Sequence, residues 1–180
     1  FRSYDEVAYV RKQLDPVLKQ GFADNGWVTF GFVDGGFAYL MTQHPVASVP
    51  QLQQQKLWLP AADTASAAAA KTFDLSPVLL PISGVLTALQ TSAINAFIAP
   101  PVAALTLQWF TKVGYVTNIP LLYTFGMLGI SKSQFDRMSA ADQKVVSDIL
   151  TATFAKLDVE SRAQNQKAFA ALLGQGVKTI

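Results

Sequence analysis

The chain has 180 residues, enough for one good core or two small lobes. Hydrophobic residues make up 51% and charged residues only 14%, which excludes a disordered chain. A net charge of +2 from scattered basic residues gives no footprint for nucleic acid, and the absence of cysteine suits an oxidising compartment such as a periplasm. No apolar run reaches the roughly 18 residues of a membrane span.

Tyr4 to Gly21 has helical spacing, with Val7, Val10, Leu14, Val17 and Leu18 on one side. Asp15-Pro16 resembles an N-cap followed by proline at the first helical position, so two short helices are predicted to meet there. Trp27 to Phe32 is aromatic and β-branched and predicts a strand. Asp34-Gly35-Gly36 predicts a turn, and Phe37 to Met41 a second extended segment. His44 to Pro50 is expected to be a loop, and Gln51–Gln55 leads into a strand that ends at Pro60.

From Lys56 to Pro101, short apolar runs that end in proline alternate with segments long enough for helices. That is the pattern of a parallel sheet with crossover helices. The strands are the run that ends at Pro60, Val78–Leu80 and Ile94–Ile98. The helices between them start from Asp63 or Thr64 and from Ser83. Pro101 opens a helix expected to reach Phe110. Tyr115–Asn118 and Leu122–Ile130 read as further strands, and Ser133–Phe135 as a helical turn. Ser139 with Asp142 three residues on is close to a capping box. It starts a helix carrying Val145, Val146, Ile149, Leu150, Phe154 and Leu157, which Gly174 and Gly176 stop. Val177–Ile180 begins a last strand. In such sheets ligands bind outside the carboxyl ends of the strands, which directs attention to Trp58–Pro60 and Phe97–Pro100.

These residues carry a resemblance. Lys56-Leu57-x-Leu59-Pro60, Leu80-Pro81, Thr87-Ala88-Leu89-Gln90-Thr91, Ile94-Asn95 and Pro100 resemble the DctP-type periplasmic substrate-binding proteins of TRAP transporters. So do Ile130-Ser131-Lys132, Phe135-Asp136, Met138-Ser139 and Asp142-Gln143-Lys144. The resemblance covers nearly the whole chain. It implies an α/β fold of the periplasmic-binding-protein kind, type II-like, with a mixed, mostly parallel central sheet flanked by helices. It also implies that part of the two-lobed fold is missing, with truncation at both ends. The expected divisions are 1–40 as a remnant of the first lobe, 41–130 as the second lobe, and 131–180 as a helical segment.

The implied function is capture of a small organic ligand in an interlobe cleft and delivery to TRAP membrane permease subunits in the periplasm. No cofactor, no metal and no nucleic acid enter it. Where family members hold a carboxylate with arginine in a Lys-x-Arg-x-Pro strand end, this chain has Trp58. Where a second arginine commonly follows a Gly-Phe turn, it has Ala38. The strand end that often carries Glu-Asn before proline reads Ile98-Ala99. A desolvated anion without partners is costly, so an apolar or aromatic-bearing ligand is expected.

The candidate ligand-binding residues are therefore Trp58, Pro60, Phe97, Ile98 and Ala99, with Phe37, Ala38, Tyr39, Asn118 and Tyr123 near other strand ends. For each, ordinary packing is the competing reading. Trp58 fits a core position as well as a cleft wall, and one of Phe97 and Ile98 must point into the core. His44 is a loop residue, and a lone histidine makes neither a metal site nor a triad. Asp136, Asp142 and Asp148 are solvated or capping. No nucleophile elbow, Walker loop or dinucleotide fingerprint is present, so no enzyme is expected. Two further readings stay open: a non-catalytic module that docks a tetratricopeptide-repeat partner, and a carrier of hydrophobic ligands.

Overall fold

The longest helix and strand of the N-terminal part are continuous where the sequence predicts breaks. The computed structural model describes residues 1–180. Helix α1 runs unbroken from Tyr4 to Asp24 with Pro16 inside it, capped by Ser3, whose Oγ accepts the Glu6 N–H at 3.2 Å. The two-helix expectation fails because Asp15 is not a cap. Its carboxylate is held by the Arg11 guanidinium at 2.9 Å, one turn back. An interior proline costs about 3 kcal/mol in helix propensity. Arg11 also reaches the Phe32 carbonyl and Asp158, so tertiary anchoring outweighs that cost.

The turn predicted at Asp34-Gly35-Gly36 is likewise absent, because β1 is one strand of 16 residues, Trp27–Thr42. Asp34 is buried and bonded, not exposed at a bend. Gly35 is there for close approach: a Cβ would sit 2.5 Å from Thr124 Oγ1 and 3.0 Å from the Thr124 carbonyl oxygen. Gly36, at φ +91°, takes a backbone geometry that favours glycine.

The remaining elements are α2 (Val49–Gln53), β2 (Leu57–Pro60), α3 (Thr64–Thr72), β3 (Val78–Leu80), α4 (Val85–Gln90), β4 (Ala96–Ala99), α5 (Pro101–Thr106), β5 (Tyr115–Val116), β6 (Leu122–Ser131), α6 (Lys132–Phe135), α7 (Ala140–Gly174) and β7 (Lys178–Thr179). Helix α2 falls where a loop and a lead-in were expected. Its signal was Ser48, which caps Gln51, together with Pro50 in the first turn. Ser83 does not cap α4; a 3-10 turn over Ile82–Gly84 precedes that helix. The helix from Pro101 stops at Thr106, and Gln108 at φ 58° turns the chain into a 3-10 segment. At α7 the predicted cap holds: the Asp142 N–H donates to Ser139 Oγ at 3.1 Å, and that hydroxyl donates to the Asp142 carboxylate.

The chain forms two compact units. Unit 1 comprises Phe1–Gly36 and Tyr123–Ala163, and unit 2 comprises Phe37–Leu122 and Gln164–Ile180. These bounds divide the chain differently from 1–40, 41–130 and 131–180, because β1 and α7 each run from one unit into the other.

In unit 2 the strand order is β3-β2-β4-β1-β5-β7. β2 is parallel to β3 and β4, β5 is parallel to β7, and β1 is antiparallel to β4 and β5. The sheet is mixed, as expected. Strand alternation sorts its side chains: Leu57, Ala96 and Leu40 face one side, Trp58, Phe97 and Met41 the other. The register places Trp58 opposite Phe97, and Phe97 opposite Met41, so these form a continuous row. On that side Val85, Leu89, Trp109, Val116 and Leu172 complete the larger core.

Unit 1 holds α1, the first half of β1, nearly all of β6, α6 and most of α7. Its buried apolar side chains are few: Val7, Phe30 and Phe32. Phe22 and Phe125 pack against Phe32, Phe135 packs against Phe30, and polar contacts join the elements as well.

Candidate functional site

The strand ends of unit 2 carry the residues singled out in the sequence. Trp58 is only 4% exposed. Its indole N–H donates to the Leu80 carbonyl at 3.0 Å on the neighbouring strand, and its ring meets Trp109 edge-on at 5.2 Å. Phe97 is fully buried and meets the same Trp109 at 5.2 Å. Both rings thus pack within the larger core of unit 2. Ala99 is buried as well, while Pro60 and Ile98 are half-buried at the ends of β2 and β4.

Phe37 and Ala38 are buried in the second half of β1. Tyr39, paired with Ala99, is half-buried with its ring 4.9 Å from Phe169, and burial raises its phenol pKa. Asn118 is exposed, and its backbone N–H donates to the Ile180 carbonyl. Tyr123 belongs to unit 1. Its phenol is pushed up to about 12, first by burial and then by the negative charge of Asp34, against an opposing pull from Arg11. The structure thus brings Trp58, Phe97, Tyr39, Ile98 and Ala99 onto adjacent strands of one sheet. Tyr123 lies in the other unit.

At the helix starts that follow β2 and β4, side-chain oxygens each take a backbone N–H. The N-terminus of α3 is capped by Asp63, whose carboxylate accepts the Ser66 N–H at 2.9 Å; hydrogen bonds from Ser66 lower its pKa. At the start of α5 the Val102 N–H donates to Oδ1 of buried Asn165 on α7 at 3.4 Å. Unit 2 contains no arginine; its lysines are Lys56, Lys71, Lys112, Lys167 and Lys178. Lys56 points its ammonium at the Ser92 carbonyl, 3.0 Å away.

Unit 1 holds a cluster that sequence reasoning missed. The Arg11 guanidinium donates to Asp15 and, at 2.5 Å, to Asp158. Asp158 Oδ1 also accepts the Asp34 backbone N–H at 2.7 Å. The fully buried carboxylate of Asp34 accepts from Arg162 Nε at 2.9 Å, and the Arg162 guanidinium lies 5.3 Å over the Tyr4 ring. Burial alone would lower the pKa of Arg11, but the hydrogen bonds of Asp15 and Asp158 outweigh it and raise it. The available signals were the i, i+4 spacings of Arg11 with Asp15 and of Asp158 with Arg162. Both partly buried guanidinium groups are engaged within the unit. No group of three or more His, Asp or Glu side chains is arranged to hold a metal ion, and no helix is long and apolar enough to cross a membrane.

The family model "bacterial extracellular solute-binding protein, family 7" (DctP) matches residues 1–180. Among solved structures, a TRAP periplasmic solute-binding protein from Haemophilus influenzae RdAW with bound L-gulonate superposes with a TM-score of 0.88 at 17% identity, over 100% of this chain and 59% of that one. One from Xanthobacter autotrophicus Py2 with bound β-D-galacturonate gives 0.88 at 17% identity, over 100% and 60%. An extracytoplasmic solute receptor from Bordetella pertussis that binds pyroglutamic acid gives 0.85 at 20% identity, over 99% and 58%. At these identities the likeness is one of fold. The chain spans less than two thirds of the length of each. No curated protein matches the chain.

Proposed function

Since the chain belongs to the bacterial extracellular solute-binding protein family 7, DctP, we propose that it serves a TRAP-type transporter as its periplasmic solute receptor, binding a small organic ligand and passing it to a membrane permease. It is a transport receptor and not an enzyme. The observation that carries this reading is the family match over the whole chain, supported by a mixed α/β fold shared with TRAP solute-binding proteins.

The ligand it takes is apolar or aromatic-bearing, and Trp58, Pro60, Phe97, Ile98 and Ala99 at the strand ends form part of its surroundings. Phe37, Ala38, Tyr39, Asn118 and Tyr123 belong to the same proposal. The support is chemical. Unit 2 has no guanidinium to offer a carboxylate, and the starts of α3 and α5 each have one N–H taken by a side-chain oxygen. Burying an unpaired carboxylate against such a surface is unfavourable by several kcal/mol or more. A second reading, an organic-acid ligand, is favoured by the gulonate, galacturonate and pyroglutamic acid of the similar structures. Neither a tetratricopeptide-repeat partner nor a permease-free carrier has an observation of its own behind it.

A thermal-shift panel separates the two ligand classes. A ligand at about 100 times its Kd stabilises the folded state by about 2.7 kcal/mol, which raises the Tm by several degrees. Aromatic and branched aliphatic compounds are expected to produce that rise, and hexuronates to leave the Tm unchanged. The reverse result would install the organic-acid reading. Substituting arginine for Trp58 is a poor probe, because a charge placed at a 4% exposed position would destabilise unit 2 by itself.

A further inference from the structure

The chain passes between the two units at Gly36–Phe37, Leu122–Tyr123 and Ala163–Gln164. Side chains beside all three crossings belong to one polar cluster of unit 1. Asp34 lies two residues before the first crossing, Tyr123 stands at the second, and Arg162 is one residue short of the third. Asp34 and Arg162 form an ion pair at 2.9 Å that joins β1 to α7. The Asp34 N–H and Arg11 converge on Asp158, one helical turn earlier on α7. Thr124 Oγ1 donates to the Gly36 carbonyl at 3.0 Å, tying the start of β6 to β1 where Gly35 leaves no room for a Cβ. Tyr123 senses the charges of both Asp34 and Arg11.

A buried ion pair contributes little net stability compared with a well-packed apolar pair, but it fixes the relative placement of the elements that carry it. Here those elements are β1 and α7, two of the three that leave the unit, and the Thr124 hydroxyl ties in the third, β6. We propose that the Asp34–Arg162 pair, with Arg11, Asp158 and Thr124, clamps the unit 1 side of all three crossings and confines bending to the residues just beyond it. Asp34 and Arg162 are then positioning residues for ligand capture: they touch no ligand and set how easily the crossings flex. This rests on the solute-receptor reading, since a receptor whose affinity depends on a bend needs the bend localised.

The chain lacks cysteine, so Lys19→Cys in unit 1 and Lys71→Cys in unit 2, both at exposed positions, give two unique spin-labelling sites. The distance distribution between labels is read without ligand, alongside hydrogen exchange of the backbone. Asp34→Asn leaves Arg162 able to turn to solvent. The double variant Asp34→Asn/Arg162→Gln removes both charges, so it leaves no member of the pair buried and uncompensated. In both, the distribution is expected to broaden, and amides near Asp34, Thr124 and Arg162 to lose protection together while the β2–β4 amides keep theirs. Affinity for any ligand that the unaltered protein binds should fall about fivefold or more, the lower end of ordinary coupling between sites. Unchanged distributions and unchanged exchange at the three crossings, with only a lower Tm, would make the network purely structural and overturn the clamp. Failure of the unaltered protein to bind any ligand would strike the receptor reading instead, and the label distances decide the clamp without it.

Discussion

Unit 2 and unit 1 solve the same problem with different chemistry. Unit 2 buries a row of Met41, Phe97 and Trp58 across its sheet and closes it with Trp109, Leu89 and Leu172. Asp63 and Asp74 are its only carboxylic side chains. Unit 1 has few buried apolar side chains, and its α1, β1 and α7 are tied by Arg11, Asp34, Asp158 and Arg162. It also leaves Tyr9, Val17, Ile149 and Val159 well exposed. Apolar burial is strong and non-directional, whereas charge pairs are directional and sensitive to the loss of one partner. The two units should therefore fail differently.

The largest effect is expected in unit 2. Phe97→Ala removes a fully buried ring and should cost about 3–5 kcal/mol. Urea unfolding followed by hydrogen exchange checks it, and the amides of β2 and β4 should open first. A loss below about 1 kcal/mol would mean that the ring row does not hold the unit together. In unit 1, Asp158→Ala deprives both Arg11 and the Asp34 N–H of their shared acceptor. Breaking a buried pair costs about 3–5 kcal/mol. Arg11 keeps Asp15 and the Phe32 carbonyl, so a loss of roughly 2 kcal/mol is expected. The exposed pairs Lys132–Asp136 and Lys144–Asp148, screened by solvent, should contribute far less than the Asp158 contacts. Equal losses at both kinds of pair would erase the distinction between clamp and surface.

A smaller effect belongs to the α3 cap. Asp63→Ala should cost about 1 kcal/mol. The folded-state pKa of Asp63 is lowered, so its contribution is complete above the unfolded value of 3.8 and fades as pH falls through the folded one. Acid unfolding of the variant should therefore lack that part of the slope. The smallest is spectroscopic. Tyr123, raised to about 12, favours the folded state fully below the unfolded value of 10.0 and loses that contribution between 10 and 12. Tyr123→Phe should delete a step near 12 from the phenolate absorbance, and an unchanged titration would place Tyr123 outside the cluster.

Periodicity and caps made most elements legible in advance. The strands ending at Pro60 and Leu80, the Asp63 and Ser139 caps and the glycine stop at the end of α7 all depend on local chemistry, which one sequence displays. The failures at Pro16 and at Asp34-Gly35-Gly36 share a physical cause. Both are local break signals overridden by partners distant in sequence, Asp158 and Phe32 in one case, Thr124 and Arg162 in the other. For the same reason the i, i+4 spacings on α1 and α7 did not reveal that their charges meet: Asp34 and Arg162 stand 128 residues apart. Strand ends marked by a proline at or just past the end, Pro60 and Leu80, fell where expected, whereas β5 stops at Val116 and not at Asn118. The capping of α5 by Asn165 was not legible, because it depends on where the second half of α7 packs.

Native mass spectrometry of the protein purified from its own periplasm, followed by denaturing extraction of whatever is bound, tests the central claim most directly. A co-purifying small molecule with an aromatic or aliphatic body and no carboxylate is the predicted result. An extracted hexonate or hexuronate would contradict the apolar assignment at the strand ends. A protein that stays empty and takes up no small molecule from either class would contradict solute capture itself.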